Sequence, residues 1–448
     1  MLGIESGFYS LVFISFMFFI SVAGMAFFWG LFSFFTIKIT KKISAFWVPL
    51  VGAGVFVLAE YLSAWGYGII WFGDGSLLGA HWTLGNPAYF FASSEFILKT
   101  ASVWGIYGID FLLAWTAGII FLLINKTYAI RSKVLLLNLA LILSSFFLTT
   151  LLSIKNGDAP KSQAIKVALI QTKNPTKPQY PLDEVLKDYT QKLELIKEAA
   201  KSIGEGIIVF PESSNFSQIM FSFLDSGSIK DYFDRLSAKE LVIIDNNILP
   251  DQENYKSRTL FINSKNGSAG FYDKQLLTPA GEYLPYLLKL LLFSLGEKST
   301  SEDSGLKPGT HSELLSYGGG QLKTLACSDV LSPSISSQGR YGFLVSLQNL
   351  GIFKGSREVE SQFLSILRFR AAENGKYAIL ASNYGHSYVI NPDGNIEKKT
   401  DSYGYQILTA EVVPNEEWTW YNKLGDLPIL LLSLAVFCLG LRKFWNDK

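Results

Sequence analysis

Five stretches of the chain are apolar over enough consecutive positions to predict helices that cross a membrane. They cover residues 8–36, 46–70, 102–124, 134–152 and, as the shortest, 427–441. A helix needs about 20 predominantly apolar residues to cross the hydrocarbon core of a bilayer. The first stretch lacks the basic start and cleavage site of a secretory signal, so we expect it to remain in the mature protein. The pattern predicts an integral membrane protein.

The positions of lysine and arginine predict how these spans are oriented. Cytoplasmic loops collect positive charge, whereas short exported loops avoid it. Residues 71–98, between the second and third spans, contain no lysine or arginine. Basic residues instead follow the first span, separate the third from the fourth and follow the fifth: Lys38, Lys41, Lys42, Lys126, Arg131, Lys133, Arg442, Lys443 and Lys448. Five spans therefore place the amino terminus and residues 153–426 outside the cytoplasm.

From residue 160 the chain changes to short apolar runs separated by polar helical stretches, which is typical of a layered α/β domain. A charged helix is expected from Leu182 to Ile203. The expected strands contain the segments KVALIQ, GIIVF, LVIIDNN, TLFINS, LKTLAC, FLVSLQN, YAILASN and SYVIN. We therefore predict a membrane domain of four spans at 1–155, a globular domain at 160–415 and a last membrane helix at 416–448.

One apolar segment of the globular domain, LPYLLKLLLFSL at 284–295, does not fit a solvated loop. It is also too short to cross a bilayer. We predict that this arm dips into the outer face of the membrane, with a buried core helix as the alternative.

Two acidic residues, Glu60 and Asp110, lie inside otherwise apolar spans. An ionisable group within a membrane is costly unless it finds a partner or water. A hydrogen bond between helices is the first interpretation. A role in shaping a lipid-access cavity is the second.

Composition and charge narrow the possible functions. The chain is 49% hydrophobic and 17% charged, which is too apolar for an ordinary soluble protein. Its net charge of +1 offers no concentrated basic face, so a nucleic-acid partner is not expected. The two cysteines, Cys327 and Cys438, lie in segments of different character, which argues against a disulfide framework or a cysteine zinc site.

Three residues that suit acyl chemistry each follow a predicted strand. Glu212 comes after GIIVFP, Lys274 lies in YDKQLLTPAGEY, and Cys327 ends LKTLAC. A thiolate attacks carbonyls well but is scarce at neutral pH, so a base must take its proton or a cation must stabilise its charge. Glu212 fits the base, and Lys274 fits the stabilisation of an oxyanion.

The same residues also have plainer interpretations. Lone glutamates and lysines are usually surface groups, and a lone cysteine is usually a small buried hydrophobe. Cys327 differs because an unpaired thiol in an exported domain is exposed to oxidation. Two polar residues, Ser328 and Asp329, also follow it directly at a strand end. Cys438, inside the last span, keeps the plainer interpretation.

Three segments resemble a known family. FPES around Glu212, YDKQLLTPAGEYLP around Lys274 and Glu282, and ACSDV around Cys327 are similar to the Glu, Lys and Cys segments of the nitrilase superfamily. The spacing from Lys274 to Glu282 most resembles its membrane branch, the apolipoprotein N-acyltransferases. The resemblance extends through SNYGHSYVINPDGNI and back into LAEYLSAW and GIDFLLAW, so it covers most of the chain.

This resemblance implies a four-layer αββα catalytic domain, on the outer side of a bacterial cytoplasmic membrane. Cys327 would take an acyl chain from a phospholipid as a thioester, and the α-amine of a lipoprotein's diacylglyceryl cysteine would then attack. Glu212 would act as base and acid, Lys274 would stabilise the oxyanion and Glu282 would support the site. No metal or organic cofactor is implied. We expect a monomer because nothing requires a partner subunit.

The chain departs from the family's pattern at several positions. Ser328 and Asp329 stand where members commonly have Tyr and Glu, and Tyr180 stands where Trp is common. The resemblance implies that these positions line the substrate side, so we expect a different acceptor or lipid preference with the thiol chemistry retained. Members also have more spans before the domain, so the lipid-access cavity is expected to be less complete.

Two other functions stay open. The first alternative is a membrane-tethered carbon–nitrogen hydrolase or amidase, or a transferase that acts on another amine. The second is a non-catalytic membrane scaffold that keeps the fold. They differ from the leading interpretation in the acceptor and in whether Cys327 becomes acylated.

The predicted orientation has a direct test. We expect a reporter enzyme fused after Lys155 to be active only outside the cytoplasm, because that position follows the fourth span. The measurement compares a reporter that works only when exported with one that works only in the cytoplasm. Cytoplasmic activity at this position would overturn the arrangement of five spans.

Overall fold

The computed structural model describes residues 8–77, 81–124, 132–154, 163–174, 181–237, 239–251, 254–294, 305–310 and 314–446. Long apolar helices occupy both ends of the chain, and two six-stranded sheets lie between them. In chain order the helices are α1 (Phe8–Thr40), α2 (Trp47–Ile70), α3 (Glu95–Ile124), α4 (Ser132–Ile154), α5 (Leu182–Ile203), α6 (Phe216–Phe223), α7 (Ser226–Leu236), α8 (Tyr286–Ser294), α9 (Pro333–Ser336), α10 (Arg357–Asn374), α11 (Trp420–Leu424) and α12 (Leu427–Asn446).

Helices α1 to α4 are long and apolar enough to cross a membrane, as predicted. The fifth predicted span coincides with α12. Helix α2 lies at the centre of the group, because it packs against α1, α3 and α12. Its Val51 and Val55 belong to an apolar cluster that Phe32 of α1 completes. Apolar packing thus holds the helices together, and their orientation in the membrane stays a prediction.

Helix α3 is broken at Gly105, a feature that the hydrophobic pattern did not predict. Gly105 has φ 64° and ψ −173°, a backbone conformation that is essentially restricted to glycine. A Cβ atom at this position would lie 2.2 Å from the ring of Tyr421. The break frees the backbone N–H of Ile106, which donates to Glu373 Oε1 of α10 at 3.1 Å. The interruption therefore joins a membrane helix to the globular domain.

The globular domain is built on two sheets of six strands within the described residues. The first has the order β12-β1-β2-β3-β4-β5 and the second β11-β10-β9-β8-β7-β6. Three adjacent strands run parallel in each sheet, β1 to β3 and β7 to β9. The strands are β1 (Ile165–Gln171), β2 (Gly206–Val209), β3 (Leu241–Asp251), β4 (Asn254–Asn263), β5 (Gly267–Asp273), β6 (Leu315–Tyr317), β7 (Gly320–Ala326), β8 (Phe343–Asn349), β9 (Tyr377–Asn383), β10 (Tyr388–Ile390), β11 (Ile396–Lys399) and β12 (Gln406–Val412).

The two sheets pack face to face, and helices cover both outer faces. Apolar side chains such as Val167 and Val345 fill the space between the sheets. Helix α5, which has the predicted bounds, packs with α6 and α7 on the first sheet. Helix α10 covers the second sheet and also packs against α3. The predicted four-layer αββα fold is confirmed, and one of its outer layers rests on the membrane helices.

The predicted arm contains a short helix, α8, which is docked at the end of α2. Tyr286 N donates to Phe72 O at 2.9 Å, and Lys289 Nζ lies 2.9 Å from Asp74 Oδ2. The side chains of Leu290 and Phe293 are 64% and 76% exposed. An exposed apolar face argues against the buried core helix and is what insertion into a membrane surface requires.

Of the two acidic residues in the spans, Asp110 is fully buried and has a partner. Asn86 Nδ2 donates to Asp110 Oδ2 at 2.6 Å. Asn86 lies in the connection between α2 and α3 rather than on a neighbouring helix. Asp110 therefore makes a hydrogen bond, but to the loop between α2 and α3 and not between helices as expected.

We expect Gly105→Ala to destabilise the protein by about 1–3 kcal/mol, because alanine disfavours this backbone conformation and its Cβ would overlap Tyr421. Thermal unfolding in detergent measures the effect. Gly52→Ala in α2 is the matched control, since no described atom lies within 4 Å of a Cβ built there. Equal unfolding temperatures for both variants would contradict the role of the break.

Candidate active site

The three reactive residues meet where strands of both sheets end. Glu212 follows β2, Lys274 follows β5 and Cys327 follows β7. The first two come from one sheet and the third from the other. Because the sheets pack face to face, side chains from the three connections converge at one end of the sandwich. The structure therefore brings together the residues that were predicted to act together.

Lys274 lies between two carboxylates. Its Nζ is 2.8 Å from Glu212 Oε1 and 2.8 Å from Glu282 Oε1. Lys274 and Glu212 are buried, whereas Glu282 keeps partial exposure. The second oxygen of Glu282 accepts the backbone N–H of Thr278 at 2.7 Å. A charged group removed from water needs such partners, and Lys274 has two.

The Cys327 side chain completes this cluster. The thiol lies close enough to the Glu212 carboxyl group for each to influence the pKa of the other. Cys327 as a whole residue keeps partial exposure. Cys327 also has φ 44°, a left-handed backbone that non-glycine residues adopt at an energetic cost. Such strain persists only where the surrounding structure holds it, as at many active sites.

The electrostatics of the cluster favour a thiol at rest. Burial raises the pKa of Cys327 well above its usual value; Glu212 adds to the rise and Lys274 opposes it. Burial also raises the pKa of Glu212, again against the effect of Lys274. For Lys274, burial alone would lower the pKa, but Glu212 and Glu282 hold it well above the usual value. Lys274 is therefore a fixed cation, and Glu212 is placed to accept the thiol proton.

Asp329 does not line a substrate surface, contrary to the expectation from its sequence position. Its carboxylate is fully buried and accepts four hydrogen bonds. One oxygen accepts the N–H groups of Gln275 and Leu276, at 3.1 and 2.7 Å. The other accepts Tyr272 OH at 2.7 Å and Ala326 N–H at 3.0 Å. Asp329 therefore ties the turn that carries Cys327 to the segment that carries Lys274.

Ser328 is likewise buried rather than presented to a substrate. Its hydroxyl donates to the backbone oxygen of Leu276. It therefore reinforces the link that Asp329 makes. Ser328 and Asp329, the two departures from the family's pattern, therefore share one structural role. Both side chains form hydrogen bonds with backbone groups of the Lys274 segment. The third, Tyr180, lies outside the described residues.

Two residues that the sequence analysis missed hold the turn at 327–331 from its other side. Arg370 of α10 donates its Nε to Val330 O at 3.1 Å, and Thr83 Oγ1 donates to Leu331 O at 2.5 Å. Arg370 is completely buried and paired with Glu373. Thr83 comes from the connection between α2 and α3. The available signal for Arg370 was an arginine one turn after the apolar Ile366 and Leu367 and one turn before an acidic partner, Glu373.

In the part of the chain that the structure describes, no group of three or more His, Cys, Asp and Glu side chains is arranged to hold a metal ion. His386 lies elsewhere, with Nδ1 2.9 Å from Glu360 Oε1.

Comparison with known proteins identifies the family of the globular domain. The sequence profile of the carbon–nitrogen hydrolases, described as "Carbon-nitrogen hydrolase", matches residues 166–421. The chain belongs to the carbon–nitrogen hydrolase family. The match begins in β1 and ends in α11, so the family domain contains both sheets and the three reactive residues.

Individual relatives extend the similarity to the membrane region. The apolipoprotein N-acyltransferase of Geobacter metallireducens is 28% identical over 351 residues, covering 74% of this chain and 64% of that protein. The one of Shewanella oneidensis is 24% identical over 435 residues, covering 88% and 80%. Among solved structures, Saccharomyces cerevisiae Nit3, a member of branch 10 of the nitrilase superfamily, matches 57% of this chain and 92% of its own, with 20% identity and a TM-score of 0.41.

We expect Lys274→Met to destabilise the protein by about 3–5 kcal/mol near pH 7, because it leaves buried carboxylates without their cation. Without the ammonium, the pKa of Glu212 rises further, since burial and Glu282 raise it and the largest opposing effect, that of Lys274, is gone. A carboxyl group with a raised pKa in the folded state costs stability as it ionises. The loss should therefore shrink as the pH falls towards about 5.

Thermal unfolding at the two pH values checks this, with Lys323→Met as the matched control. Lys323 is also buried, but it donates to the backbone oxygen of Gln338 at 3.1 Å, and burial lowers its pKa to about 8. Its amine is mostly protonated from pH 7 downwards, so the effect of its removal should stay constant. A constant loss for Lys274→Met as well would contradict the two-carboxylate arrangement.

Proposed function

We propose that this protein transfers an acyl chain from a phospholipid to the amino-terminal amine of lipoproteins, through a thioester on Cys327. The observation that carries the proposal is the contact of a thiol, a carboxylate and a fixed ammonium at one end of the sandwich. The names of the similar bacterial proteins support the choice of acceptor. The apolar helices that flank the domain support the choice of a lipid donor.

In the first half of the reaction, Glu212 accepts the Cys327 proton while the sulfur attacks an ester carbonyl of the phospholipid. The carbonyl oxygen becomes an oxyanion. Lys274 stabilises it, because two of its three N–H groups are committed to carboxylates and the third is left to meet this charge. When the C–O bond breaks, Glu212 returns the proton to the leaving lysophospholipid, and the acyl chain remains on sulfur.

In the second half, the α-amine of the diacylglyceryl cysteine attacks the thioester. Glu212 takes a proton from this amine as the C–N bond forms. The C–S bond then breaks, and Glu212 returns the proton to the Cys327 sulfur. Glu282 takes no proton in this scheme, because its bonds to Lys274 Nζ and Thr278 N–H keep the ammonium in place.

The position of the site relative to the membrane helices supports a lipid donor. Glu282 lies just before α8, whose exposed apolar face includes Leu290 and Phe293. The start of α8 is bonded to the end of α2 through Phe72. A lipid that leaves the bilayer along α8 would arrive beside Glu282 and Lys274. The domain would then lie outside the cytoplasmic membrane, as the charge pattern predicts.

Trapping the acyl-enzyme is the decisive experiment. We expect purified protein in detergent, given a phospholipid with an isotope-labelled acyl chain, to gain that chain on the peptide that contains Cys327. Mass spectrometry before and after hydroxylamine treatment identifies a thioester. Cys327→Ala should gain no label, whereas Cys438→Ser should gain as much as the parent, because that exposed residue of α12 is remote from the site. Absence of label in the parent would overturn the proposal.

The acceptor is tested separately. In a host that depends on this protein, lipoprotein amino termini should be N-acylated, and mass spectrometry of these peptides detects the change. Diacylated termini with a free amine, combined with a trapped thioester, would favour an amidase or another amine acceptor. An intact fold with neither product would favour the scaffold.

A further inference from the structure

One buried residue of β3, Asn246, holds the loop that carries Glu212 through hydrogen bonds. Ser213, the residue after Glu212, donates its backbone N–H to Asn246 Oδ1 at 2.9 Å. Two residues further on, Asn215 N–H donates to the backbone oxygen of Asn246 at 3.0 Å. Asn246 is completely buried. The accepting group of both hydrogen bonds is therefore shielded from water.

The other end of the same side chain reaches the strand that leads to Lys274. Asn246 Nδ2 is 3.2 Å from Ser257 Oγ and 3.1 Å from Thr259 Oγ1 of β4. The backbone oxygen of Ser257 accepts the N–H of Lys274 at 2.9 Å. One amide group thus connects the backbone next to Glu212 with the residue that holds the Lys274 backbone.

The backbone of the Glu212 loop needs such support. Ser213 has φ 57° and Asn215 has φ 52°, both in the left-handed region that disfavours non-glycine residues. A loop with two such residues relaxes unless hydrogen bonds hold it. Relaxation at Ser213 would move the carboxylate of Glu212 directly, because the two residues are adjacent.

The polar residues on either side of Asn246, Asp245 and Asn247, bond to a different segment. Asp245 Oδ2 accepts the N–H and the hydroxyl of Ser217, at 2.7 and 2.6 Å. Asn247 Oδ1 accepts the N–H of Gln218 at 3.1 Å. Both therefore hold the first turn of α6. Only Asn246, among these three, bonds to the residue next to Glu212.

We propose that Asn246 is a positioning residue that sets the contact of Glu212 with Lys274 and Cys327. An amide suits this place because it accepts from Ser213 N–H through its oxygen and donates to hydroxyl groups through its nitrogen. A carboxylate would add a buried charge beside Glu212, and an aliphatic residue would leave the Ser213 N–H without its partner. The inference deepens the proposed function, because it concerns the base of the same site.

The experiment uses full-length protein in detergent with Cys438→Ser in every variant, so that Cys327 is the remaining cysteine. The readout is the rate of Cys327 alkylation by iodoacetamide across the pH range from about 6 to about 10, which requires no lipid substrate. Asn246→Leu should lower the rate near pH 7.5 by about tenfold, because a displaced Glu212 no longer accepts the thiol proton and a disturbed Lys274 opposes the rise in the pKa of Cys327 less. In acyl transfer, kcat should fall while KM stays near its parent value.

Asn247→Leu is the matched control: it changes the same residue type, one position along the strand and equally buried. It should unfold at a lower temperature, yet alkylate within about twofold of the parent, with an unchanged pH profile. An unchanged rate for Asn246→Leu, or an equal fall in both variants, would overturn the proposal.

If Asn246→Leu lacks a cooperative unfolding transition, Thr259→Val takes its place. It removes one of the two hydroxyl groups that contact Asn246 Nδ2 and leaves the Ser213 contact intact. We expect a smaller fall in the alkylation rate, about threefold, and no change would overturn the proposal. A parent protein that alkylates as described but forms no thioester from phospholipid would refute the proposed function alone.

Discussion

The structure of the site depends on a single ammonium group held between two carboxylates out of reach of bulk water. Removing charges from water is costly, and the cost is recovered only when opposite charges and hydrogen bonds meet them closely. Lys274 meets Glu212 and Glu282 at 2.8 Å each. This pairing keeps Lys274 cationic and leaves Glu212 able to accept the proton of Cys327. Without it, burial would disfavour the anionic form of Glu212.

Such an arrangement requires that three separate connections be fixed relative to one another. The fold achieves this with buried polar side chains that satisfy backbone groups: Asp329 joins the Cys327 turn to the Lys274 segment, and Asn246 joins the Glu212 loop to β4. Buried polar groups of this kind are costly when half satisfied and rigid when fully satisfied. The strained backbone at Cys327 is tolerated for that reason.

Periodicity predicted a layered α/β domain and most of its strands, and the family resemblance implied the four layers. The three reactive residues were proposed from strand ends and from that resemblance, and the structure places them at one end of the sandwich. Sequence patterns did not predict the break at Gly105, because one glycine in an apolar helix has many explanations. The ring of Tyr421, which leaves no room for a Cβ atom at this position, lies over three hundred residues away in the chain. Sequence patterns also misjudged Asp329, which looked like a substrate residue beside Cys327. Its four partners become visible only when the Lys274 segment is brought next to it.

Contacts from the membrane region also support the backbone of the site. The turn at 327–331 is bonded on one side by Asp329 and on the other by Thr83 and Arg370. Arg370 pairs with Glu373, which accepts the backbone N–H freed by the break in α3. A displacement of α3 would therefore move the backbone of the turn at 327–331, because buried hydrogen bonds and an ion pair connect the two and these are shielded from water that could replace them. The globular domain and the membrane helices are thus joined at this turn, and separating them would remove support from the backbone next to Cys327.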